Sequence, residues 1–431
     1  MMFHWNSSFQ MKPLTGFDSW NSWRIAITCG FVHLVCSMTL ASMGEIFVGV
    51  LNDFSSEREL ASWPVTAIIC GMQLISPAYS ILVRMGAAHV WILRICTLMI
   101  AVTLWLCYFA KNILHLTVLL GLHGASIAGI YVSANVLMAG HFSKERTAAS
   151  GTQETIAGTS VFFMPVLMQH FVASFRTPAA LSVLGCIAFL AFLLALSISP
   201  IDTDEEVDSA KESAKDPEEA IEFGPTNRSD RTEQPLWRIL TSFKFILNFF
   251  SFWVVFDCYS SFLQLNGDYS RDVGVPDAGV WLVPIFGVGD MVFKLAAGFL
   301  SDAKLTSPSI LLVLGSVAQC GGFLGLSYSN DFKTLAMSSF VLGAANGARV
   351  FLFIIVLIND FGLKNLAHTF SHANFCMGIL TLVKPSLVGL FRDRNQQYLG
   401  LFLMMAVLNA LVASYWVIRT LRSRKGGPPA L

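Results

Sequence analysis

Long apolar runs alternate with short polar intervals along the whole chain. Twelve of these runs reach about 20 residues, the length that crosses a bilayer as an α-helix. Six precede one long polar interval and six follow it, at 24–51, 61–83, 88–110, 113–140, 148–171, 178–199, 243–265, 280–300, 309–328, 334–358, 366–391 and 399–418. The pattern predicts an all-α membrane protein with twelve transmembrane helices in two six-helix halves, related by a pseudo-repeat around a site near the midplane.

The long polar interval separates the two predicted halves. It contains twelve Asp and Glu against four Lys and Arg and almost no large apolar residue, so we expect a disordered, solvated linker. The predicted divisions are an N-terminal tail at 1–23, a six-helix half at 24–200, the acidic linker at 201–236, a second six-helix half at 237–419 and a basic tail at 420–431.

The distribution of Lys and Arg predicts the orientation of the spans. An even number of spans places both termini on one side, where the tails and loops carry Lys12, Arg84, Lys144, Arg146, Lys304, Lys364, Arg419, Arg422, Arg424 and Lys425. The opposite loops carry Arg58, Lys111, Arg176, Arg271, Lys333, Arg392 and Arg394. The positive-inside rule therefore predicts cytoplasmic termini. The first 20 residues hold no apolar core of signal-peptide length, so we expect the first span to direct insertion.

Composition excludes several classes of protein. In 431 residues, 54% are hydrophobic and 13% charged, which is incompatible with a set of soluble domains. A formal net charge of zero and the lack of a basic patch argue against a nucleic-acid partner. The nine cysteines show no metal-ligand spacing, and the sequence has no phosphate-binding glycine loop and no constellation of a hydrolytic enzyme. We therefore expect a membrane protein that is not an enzyme and has no cofactor or metal.

Two opposite charges lie one helical turn apart in the eighth apolar run. Asp290 and Lys294 share a helix face, with the acid N-terminal to the base as an i,i+4 pair prefers. A single charge near the bilayer centre costs at least roughly 3 kcal/mol, so such residues face protein or a water-filled path. We interpret the pair as part of a transport pathway; a structural ion pair that neutralises itself is the alternative.

Other charged residues also fall inside apolar runs. Arg349 lies among small residues and is suited to a carboxylate, or it pairs with Asp257 or Glu154. Asp257 would relay protons or bind a cationic group. Glu154 would line the pathway or extend to the cytoplasmic surface. Lys384 precedes Pro385 and would bond the carbonyl that the proline frees, which favours a structural role.

A short motif follows the charged pair. Gly298, Asp302 and Lys304 fit the G-x-L-x-D-R/K loop that major facilitator superfamily proteins carry between their eighth and ninth helices. The glycine allows close helix contact, and the acid can accept hydrogen bonds at a helix end. With twelve spans and a central acidic loop, the chain resembles that superfamily.

Within the superfamily, the chain resembles the monocarboxylate transporter family over nearly all its membrane portion. The stretch HFSKERTAASG at 141–151 resembles Y-F-x-K-R-R-x-x-A-x-G and contains Lys144, Arg146 and Gly151. The stretch VLINDFGL at 356–363 resembles V-x-L-V-D-L-L-G-L. The pair Asp290 and Lys294 resembles the D-x-x-x-R of the eighth helix, which the family uses for substrate and proton handling.

The chain departs from the family at two places. Lys294 stands where the family carries arginine, whose planar fork binds a carboxylate in a bidentate way that an ammonium does not. Proton-coupled members carry a first-helix lysine near the position that is Met43, Gly44 or Glu45 here, and the first span has no lysine. Glu45 would repel an anion when ionised and would carry a proton when burial keeps it neutral.

The resemblance implies a secondary transporter in the plasma membrane. It would move a small organic solute, first of all a monocarboxylate, by alternating access around Asp290, Lys294 and Arg349. Transport of amino acids or other amphipathic solutes without proton coupling is a second hypothesis. A receptor-like protein that keeps the fold without transport is a third. Proton coupling, and an accessory single-span subunit such as some relatives use, both remain open.

Overall fold

The structure is a computed structural model that describes residues 20–84, 89–142, 146–198, 236–276, 278–302, 306–350, 352–362 and 365–425. Within these ranges the chain is helical with short turns and contains no strand. Twelve helical segments among the described residues are long and apolar enough to cross a membrane. The predicted all-α architecture with two sets of six spans is therefore confirmed.

Nine helices form the first half within the residues that the structure describes. They are α1 (Trp20–Ala41), α2 (Met43–Phe54), α3 (Arg58–Leu74), α4 (Ser76–Arg84), α5 (His89–Cys107), α6 (Ile113–His141), α7 (Arg146–Gly158), α8 (Ser160–Ser174) and α9 (Thr177–Leu196). Three of the six predicted runs are each divided into two helices, which give the pairs α1 and α2, α3 and α4, and α7 and α8. The first half therefore has six spans built from nine helices.

The second half contains nine further α-helices and one π-helical turn. They are α10 (Leu236–Leu240), α11 (Phe243–Asp272), α12 (Ala278–Asp302), α13 (Pro308–Ser327), α14 (Phe332–Val350), α15 (Leu352–Phe361), α16 (Leu366–Thr381), α17 (Lys384–Val388), the π-turn (Gly389–Arg394) and α18 (Leu399–Lys425). We call the end of the bundle where α1 begins and α18 ends the near end, and the opposite end the far end. The acidic linker lies outside the described residues.

Local hydrogen bonds accompany the breaks within spans. Ser42, between α1 and α2, donates its hydroxyl to the Met38 carbonyl at 2.8 Å. Thr159, between α7 and α8, donates to the Ile156 carbonyl at 2.7 Å. Such side-chain bonds to the preceding turn compete with the helical ladder and bend it. Hydrophobicity alone did not predict these breaks because Ser and Thr are tolerated within apolar runs.

The seventh span extends farther than the sequence predicts. The apolar run was expected to end at residue 265, whereas α11 continues to Asp272. Its last two turns keep their polar groups paired, since Asn266 donates to the Leu263 carbonyl at 2.8 Å and Asp268 accepts from Arg58 at 2.7 Å. The polar residues after position 265, which the sequence predicts as a loop, are therefore helical because their polar groups find hydrogen-bond partners in the folded protein.

The outer surface of the bundle is apolar. Large hydrophobic side chains of several spans point away from the core and are exposed, including Leu114, Leu190, Leu295 and Val407. In water such a belt would promote association, whereas in a bilayer it contacts acyl chains. The exposed belt therefore agrees with the predicted position of the protein in a membrane.

The two halves contact each other at several levels of the bundle, and α4 packs against α16 toward the near end. Helix α2 packs against α11, α8 packs against α12, and α3 packs against α16, α17 and the π-turn. Within each half the helices approach closely where glycine faces a neighbour; a Cβ added at Gly124 would lie 2.0 Å from the Ile68 carbonyl oxygen. The fourth span therefore packs closely against the second span at Gly124.

Candidate functional site

The predicted pair in the eighth span forms an ion pair. Asp290 is the central residue of α12, and Lys294 lies one turn closer to the near end. The Lys294 Nζ atom is 3.0 Å from Asp290 Oδ2, and the two side chains are 38% and 16% exposed. A partly exposed lysine halfway along a span faces a water-filled space or extends towards the membrane surface. The protein therefore does not fully enclose the ammonium.

A neighbouring helix holds the second oxygen of Asp290. Asn346 of α14 donates its Nδ2–H to Asp290 Oδ1 at 2.7 Å. The approach of the two helices requires Gly347, because a Cβ there would lie 2.1 Å from the Asp290 carbonyl oxygen. Sequence reasoning did not identify Asn346; its place one residue before a glycine in a small-residue run was the available signal.

Glu154 of the first half faces this pair across the boundary between halves. It lies in α7 within electrostatic range of both Lys294 and Asp290, and its side chain is 46% exposed. Tyr259 of α11 is close enough to interact with both acids. The structure thus brings together three predicted residues, Glu154, Asp290 and Lys294, from two halves of the protein.

A buried histidine lies beside Glu154. His33 of α1 has no exposed surface, and its Nδ1 atom is 3.8 Å from Glu154 Oε1. Gln153 Nε2 lies 3.0 Å from the same ring nitrogen, and the Tyr131 ring centroid is 4.3 Å from that of His33. His33 and Gln153 were not predicted as site residues. A histidine in the middle of an apolar span was the signal.

A second ion pair is buried in the second half, which also contains Asp290 and Lys294. The Lys384 Nζ atom lies 3.2 Å from Asp257 Oδ1, and both side chains are at most one-tenth exposed. The ammonium also donates to the Ser260 hydroxyl. The predicted bond of Lys384 to a carbonyl freed by Pro385 is not among its contacts with the described residues.

This second pair adjoins the contact between the halves. Cys70 Sγ lies 3.7 Å from the Gly378 carbonyl oxygen, and Thr381 donates to Gln73 at 3.3 Å. These contacts join α3 of the first half to α16 of the second. Movement of α3 against α16 would therefore alter the surroundings of Asp257 and Lys384.

Arg349 lies in the core of the second half. It has no exposed surface and donates to the Ala345 carbonyl at 2.9 Å, to Ser316 Oγ at 3.0 Å, to Asn409 Oδ1 at 3.3 Å and to Gln319 Oε1. Its partners thus come from its own helix, α13 and α18, and all are neutral. The structure does not bring Arg349 together with Asp257 or Glu154, the two predicted partners.

Glu45 lies between the halves, where α2 packs on α11. Its side chain is buried, and its Oε2 atom has no hydrogen-bond partner among the described residues. Arg271 at the end of α11 is close enough to influence it electrostatically. Glu45 is therefore nearer the far end than Asp290 and belongs to a different layer of the bundle.

The predicted gating motifs are described only in part. Lys144 and Lys304 lie outside the described residues, and Gly298, Asp302 and Arg146 are described as helix without their side chains. A Cβ added at Gly151 would meet no atom within 4 Å. The predicted gating roles of these six residues therefore stay predictions.

A network of charged groups connects the halves at the far end. Arg58 of α3 donates to Asp268 of α11 at 2.7 and 3.2 Å, and the Tyr398 hydroxyl donates to the same carboxylate at 2.6 Å. Asp393 of the π-turn accepts the backbone N–H groups of Arg58 and Glu59 at 3.2 and 2.9 Å. We call Arg58, Asp268, Asp393 and Tyr398 the far-end latch.

The far-end latch includes an unusual cap on the N-terminus of helix α3. The free N–H groups at a helix N-terminus favour a carboxylate, which normally comes from the same chain segment. Here a carboxylate of the second half caps α3 of the first half. A cavity of about 410 Å³ adjoins the latch and is lined by residues that include Asn52, Arg58, Asp268 and Arg271. Separation of the halves would uncap α3 and enlarge this cavity.

Twelve spans in two halves, with opposite charges facing each other between the halves, define the architecture of a secondary transporter. The model of the Major Facilitator Superfamily matches residues 25–282, more than half of the sequence. The chain therefore belongs to the Major Facilitator Superfamily, a family of transporters and not of enzymes.

Curated relatives refine this assignment. The chain is 24% identical over 399 residues to monocarboxylate transporter 12 of Rattus norvegicus, covering 89% of this chain and 82% of that protein. It is 22% identical over 462 residues to monocarboxylate transporter 9 of Gallus gallus, covering 90% of each. Monocarboxylate transporter 14 of Homo sapiens is 21% identical over 481 residues, covering 93% of this chain and 92% of that protein. The resemblance to the monocarboxylate transporter family is thus confirmed, at low identity.

A solved structure shares the fold. The crystal structure of the nucleoside transporter NupG superposes with a TM-score of 0.68, covers 91% of this chain and 99% of that chain, and is 11% identical. At this identity the likeness concerns the fold alone.

Proposed function

We propose that this protein carries a small organic solute with a carboxylate group, in the first instance a monocarboxylate, across a membrane by alternating access. The observation that carries the proposal is the accessible Lys294 ammonium, which lies halfway through the bundle and faces Glu154 of the other half. An ammonium has three N–H donors, so it can bind a solute carboxylate while it keeps its bond to Asp290.

Asp290 and Asn346 would tune this ammonium. Asp290 offsets the charge of Lys294. Placing the unoccupied site in the bilayer therefore costs less free energy than placing an isolated cation there. Asn346 holds one oxygen of Asp290 at 2.7 Å, which prevents the carboxylate from taking up more of the N–H donors of Lys294. The solute carboxylate would then bind at the free side of the ammonium.

The contacts between the halves support the alternating movement. The far-end latch and its neighbours join the halves in the present conformation, while Lys294 and Glu154 stay accessible. In the proposed cycle the latch opens when the near end closes around the occupied site. The solute would thereby meet only one side of the membrane at a time.

A zwitterionic solute such as an amino acid is the second candidate. Glu154 and Asp290 are two acids against the single base Lys294, so the site has room for a second positive charge. The solute ammonium would lie beside Glu154 and its carboxylate beside Lys294. This arrangement favours an amino acid over a simple monocarboxylate if both acids are ionised.

Uptake of labelled short-chain monocarboxylates and amino acids into expressing cells tests the proposal. We expect uptake by the wild type and its loss in Lys294→Gln, with Lys333→Gln as a matched control because Lys333 is exposed in the first turn of helix α14. Preference within the panel separates the two candidates. If wild type at normal surface amounts takes up neither class, the receptor-like hypothesis replaces the transporter.

We also propose the plasma membrane as the site of residence, with the near end and both termini in the cytoplasm. The excess of Lys and Arg at that end supports this orientation. An epitope tag after Leu431 should bind its antibody only in permeabilised cells. Binding in intact cells would contradict the orientation.

A further inference from the structure

The cavity beside the far-end latch is built by both halves of the protein. Its volume of about 410 Å³ lies within the range of about 300–1,000 Å³ that small-molecule sites occupy. The first half lines it with the last turns of α2 and the chain up to Arg58, and the second half lines it with residues of the last two turns of α11. Asn52, Ser55 and Arg271 in its lining are exposed, so the cavity opens to water at the far end.

The charged groups around the cavity leave one cation uncompensated. Asp268 is bonded to Arg58, and Asp272 is bonded to Arg392. Arg271 also lines the cavity but forms no hydrogen bond or ion pair with any other residue that the structure describes. The two bonded pairs are neutral, and the cavity therefore presents one net positive charge to a ligand.

Hydrogen-bond donors from both halves accompany this charge. Arg58 uses Nε and one terminal nitrogen for Asp268, and its other terminal nitrogen has no partner among the described residues. The Ser56 hydroxyl lines the same cavity and is buried without a partner in the described part of the chain. Guanidinium groups bind carboxylates through parallel N–H bonds, and an unsatisfied buried hydroxyl gains from a ligand. These donors suit a carboxylate.

Glu45 is the acid that limits the positive charge of Arg271. It is buried one turn deeper than Val48 on the same face of α2, and it lies within electrostatic range of Arg271. The two side chains form no ion pair with each other. Glu45 therefore offsets part of the charge of the guanidinium and leaves its N–H donors free.

We propose that the far-end cavity is a second, regulatory site, which binds a small carboxylate from the far side of the membrane between Arg271 and Arg58. The bound carboxylate contacts both halves, so it favours the conformation in which the two guanidinium groups line one cavity. Carboxylate at the far side should therefore hold the far-end latch closed. Only this effect on transport rests on the proposed function, because the cavity shares no lining residue with the site at Lys294.

Protection of a thiol tests binding without transport. The full chain with Asn52→Cys, in lipid nanodiscs, is labelled with a neutral, impermeant maleimide, and the wild-type rate from native cysteines is subtracted. Lactate should lower the rate about twofold at its dissociation constant and about tenfold at about nine times that concentration, if only the empty cavity reacts. Lactamide and chloride at equal ionic strength should not. Lys333→Cys is the control, since Lys333 is exposed outside this cavity.

Two arginines at the far end separate the site from a general effect of charge. Arg271→Gln should abolish protection by lactate, and its exposed position leaves the fold intact. Arg394→Gln removes the same charge from an exposed position outside the cavity lining and should keep protection. Glu45→Gln should bind lactate at least as tightly as the wild type. Weaker protection in Glu45→Gln, or protection that persists in Arg271→Gln, would overturn the site.

Uptake of labelled lactate into expressing cells tests the effect on the halves. Wild-type uptake should rise and then fall as external lactate increases, whereas uptake by Arg271→Gln should reach a plateau.

The outcomes separate this inference from the proposed function. Absence of protection, or equal protection by lactamide or chloride, overturns the carboxylate site. Protection with wild-type uptake that only saturates keeps the site and overturns its hold on the latch. If lactate protects the thiol and no carboxylate is taken up, the proposed function fails and the binding site stands.

Discussion

The charged residues inside the spans differ in the partners that compensate them. Lys294 is paired with an acid and reaches water, Lys384 is paired with an acid and buried, and Arg349 is buried among neutral acceptors. Their sequence contexts look alike, since each is a single cation in an apolar run. Among these three cations, only Lys294 combines a partly exposed side chain with an acid of the opposite half, Glu154, within electrostatic range, and we therefore propose it as the anchor for a solute.

Asn346 provides a first test at the residue scale. Asn346→Ala removes a hydrogen bond to a charged group, which contributes about 1.5–3 kcal/mol. Asp290 should then compete more strongly for Lys294, and the KM for carboxylate uptake should rise by roughly tenfold or more. The control is Asn374→Ala, because Asn374 donates to the Phe370 carbonyl of its own helix at 3.1 Å. An unchanged KM would show that Asn346 does not tune the pair.

Arg349 provides a second test at this scale. Arg349→Gln leaves Ser316, Gln319 and Asn409 without their shared donor, and unpaired buried polar groups cost about 1–3 kcal/mol each. We expect a lower melting temperature of the purified protein in detergent. If the melting temperature stays the same and carboxylate uptake is lost, Arg349 binds the solute in another conformation, as its sequence context predicts.

At the scale of secondary-structure elements, breaks within the spans determine where the charged side chains lie. The π-turn follows α17 and carries Asp393 to the first turn of α3, and the break at Thr159 separates α7, with Glu154, from α8, which packs on α12. Proline at residue 385 and hydroxyl groups near the breaks explain why the helices are interrupted. A movement of one segment can therefore change a charged contact without displacing the whole span.

The far-end latch provides a test at the scale of elements. Asp393→Asn keeps the shape of the side chain but weakens the cap of α3, since a carboxylate interacts with a helix N-terminus more favourably than an amide. Ser56 lines the cavity beside the latch. In a Ser56→Cys background, we expect the thiol to react faster with a membrane-impermeant reagent added from the far end. The control is Asp331→Asn, because Asp331 bonds to Thr334 in its own turn. Equal reaction rates would mean that Asp393 does not hold the halves together.

The sequence predicted most of the fold and part of the candidate site. Twelve spans, the two halves and the ion pair of Asp290 with Lys294 followed from apolar length and i,i+4 spacing. The far extension of α11 and the partners of Arg349 did not, because both depend on residues distant in the chain. His33 lies 120 residues from Gln153, and no local pattern indicates that contact.

The movement of the halves against each other can be tested in the whole molecule. Arg58 and Asp268 face each other across the halves, whereas Asp272 and Arg392 form a comparable ion pair within the second half. With cysteines in place of Arg58 and Asp268, a cleavable thiol cross-linker that spans about 10 Å should stop uptake, and its reduction should restore uptake. A reagent of this length is used because the long Arg58 side chain spans most of the gap to Asp268, whereas a direct disulfide requires two Cα atoms within about 7 Å of each other.

The ion pair of Asp272 and Arg392 provides the control for this cross-linking experiment. Cysteines in place of Asp272 and Arg392, joined by the same reagent, should leave uptake unchanged, because both residues move with the second half. Binding of a labelled carboxylate to the protein linked between its halves should persist, since the site at Lys294 is accessible in the conformation with the far-end latch closed. Uptake that continues despite complete cross-linking of residues 58 and 268 would show that the halves need not separate at the far end. Alternating access through this end would then be wrong.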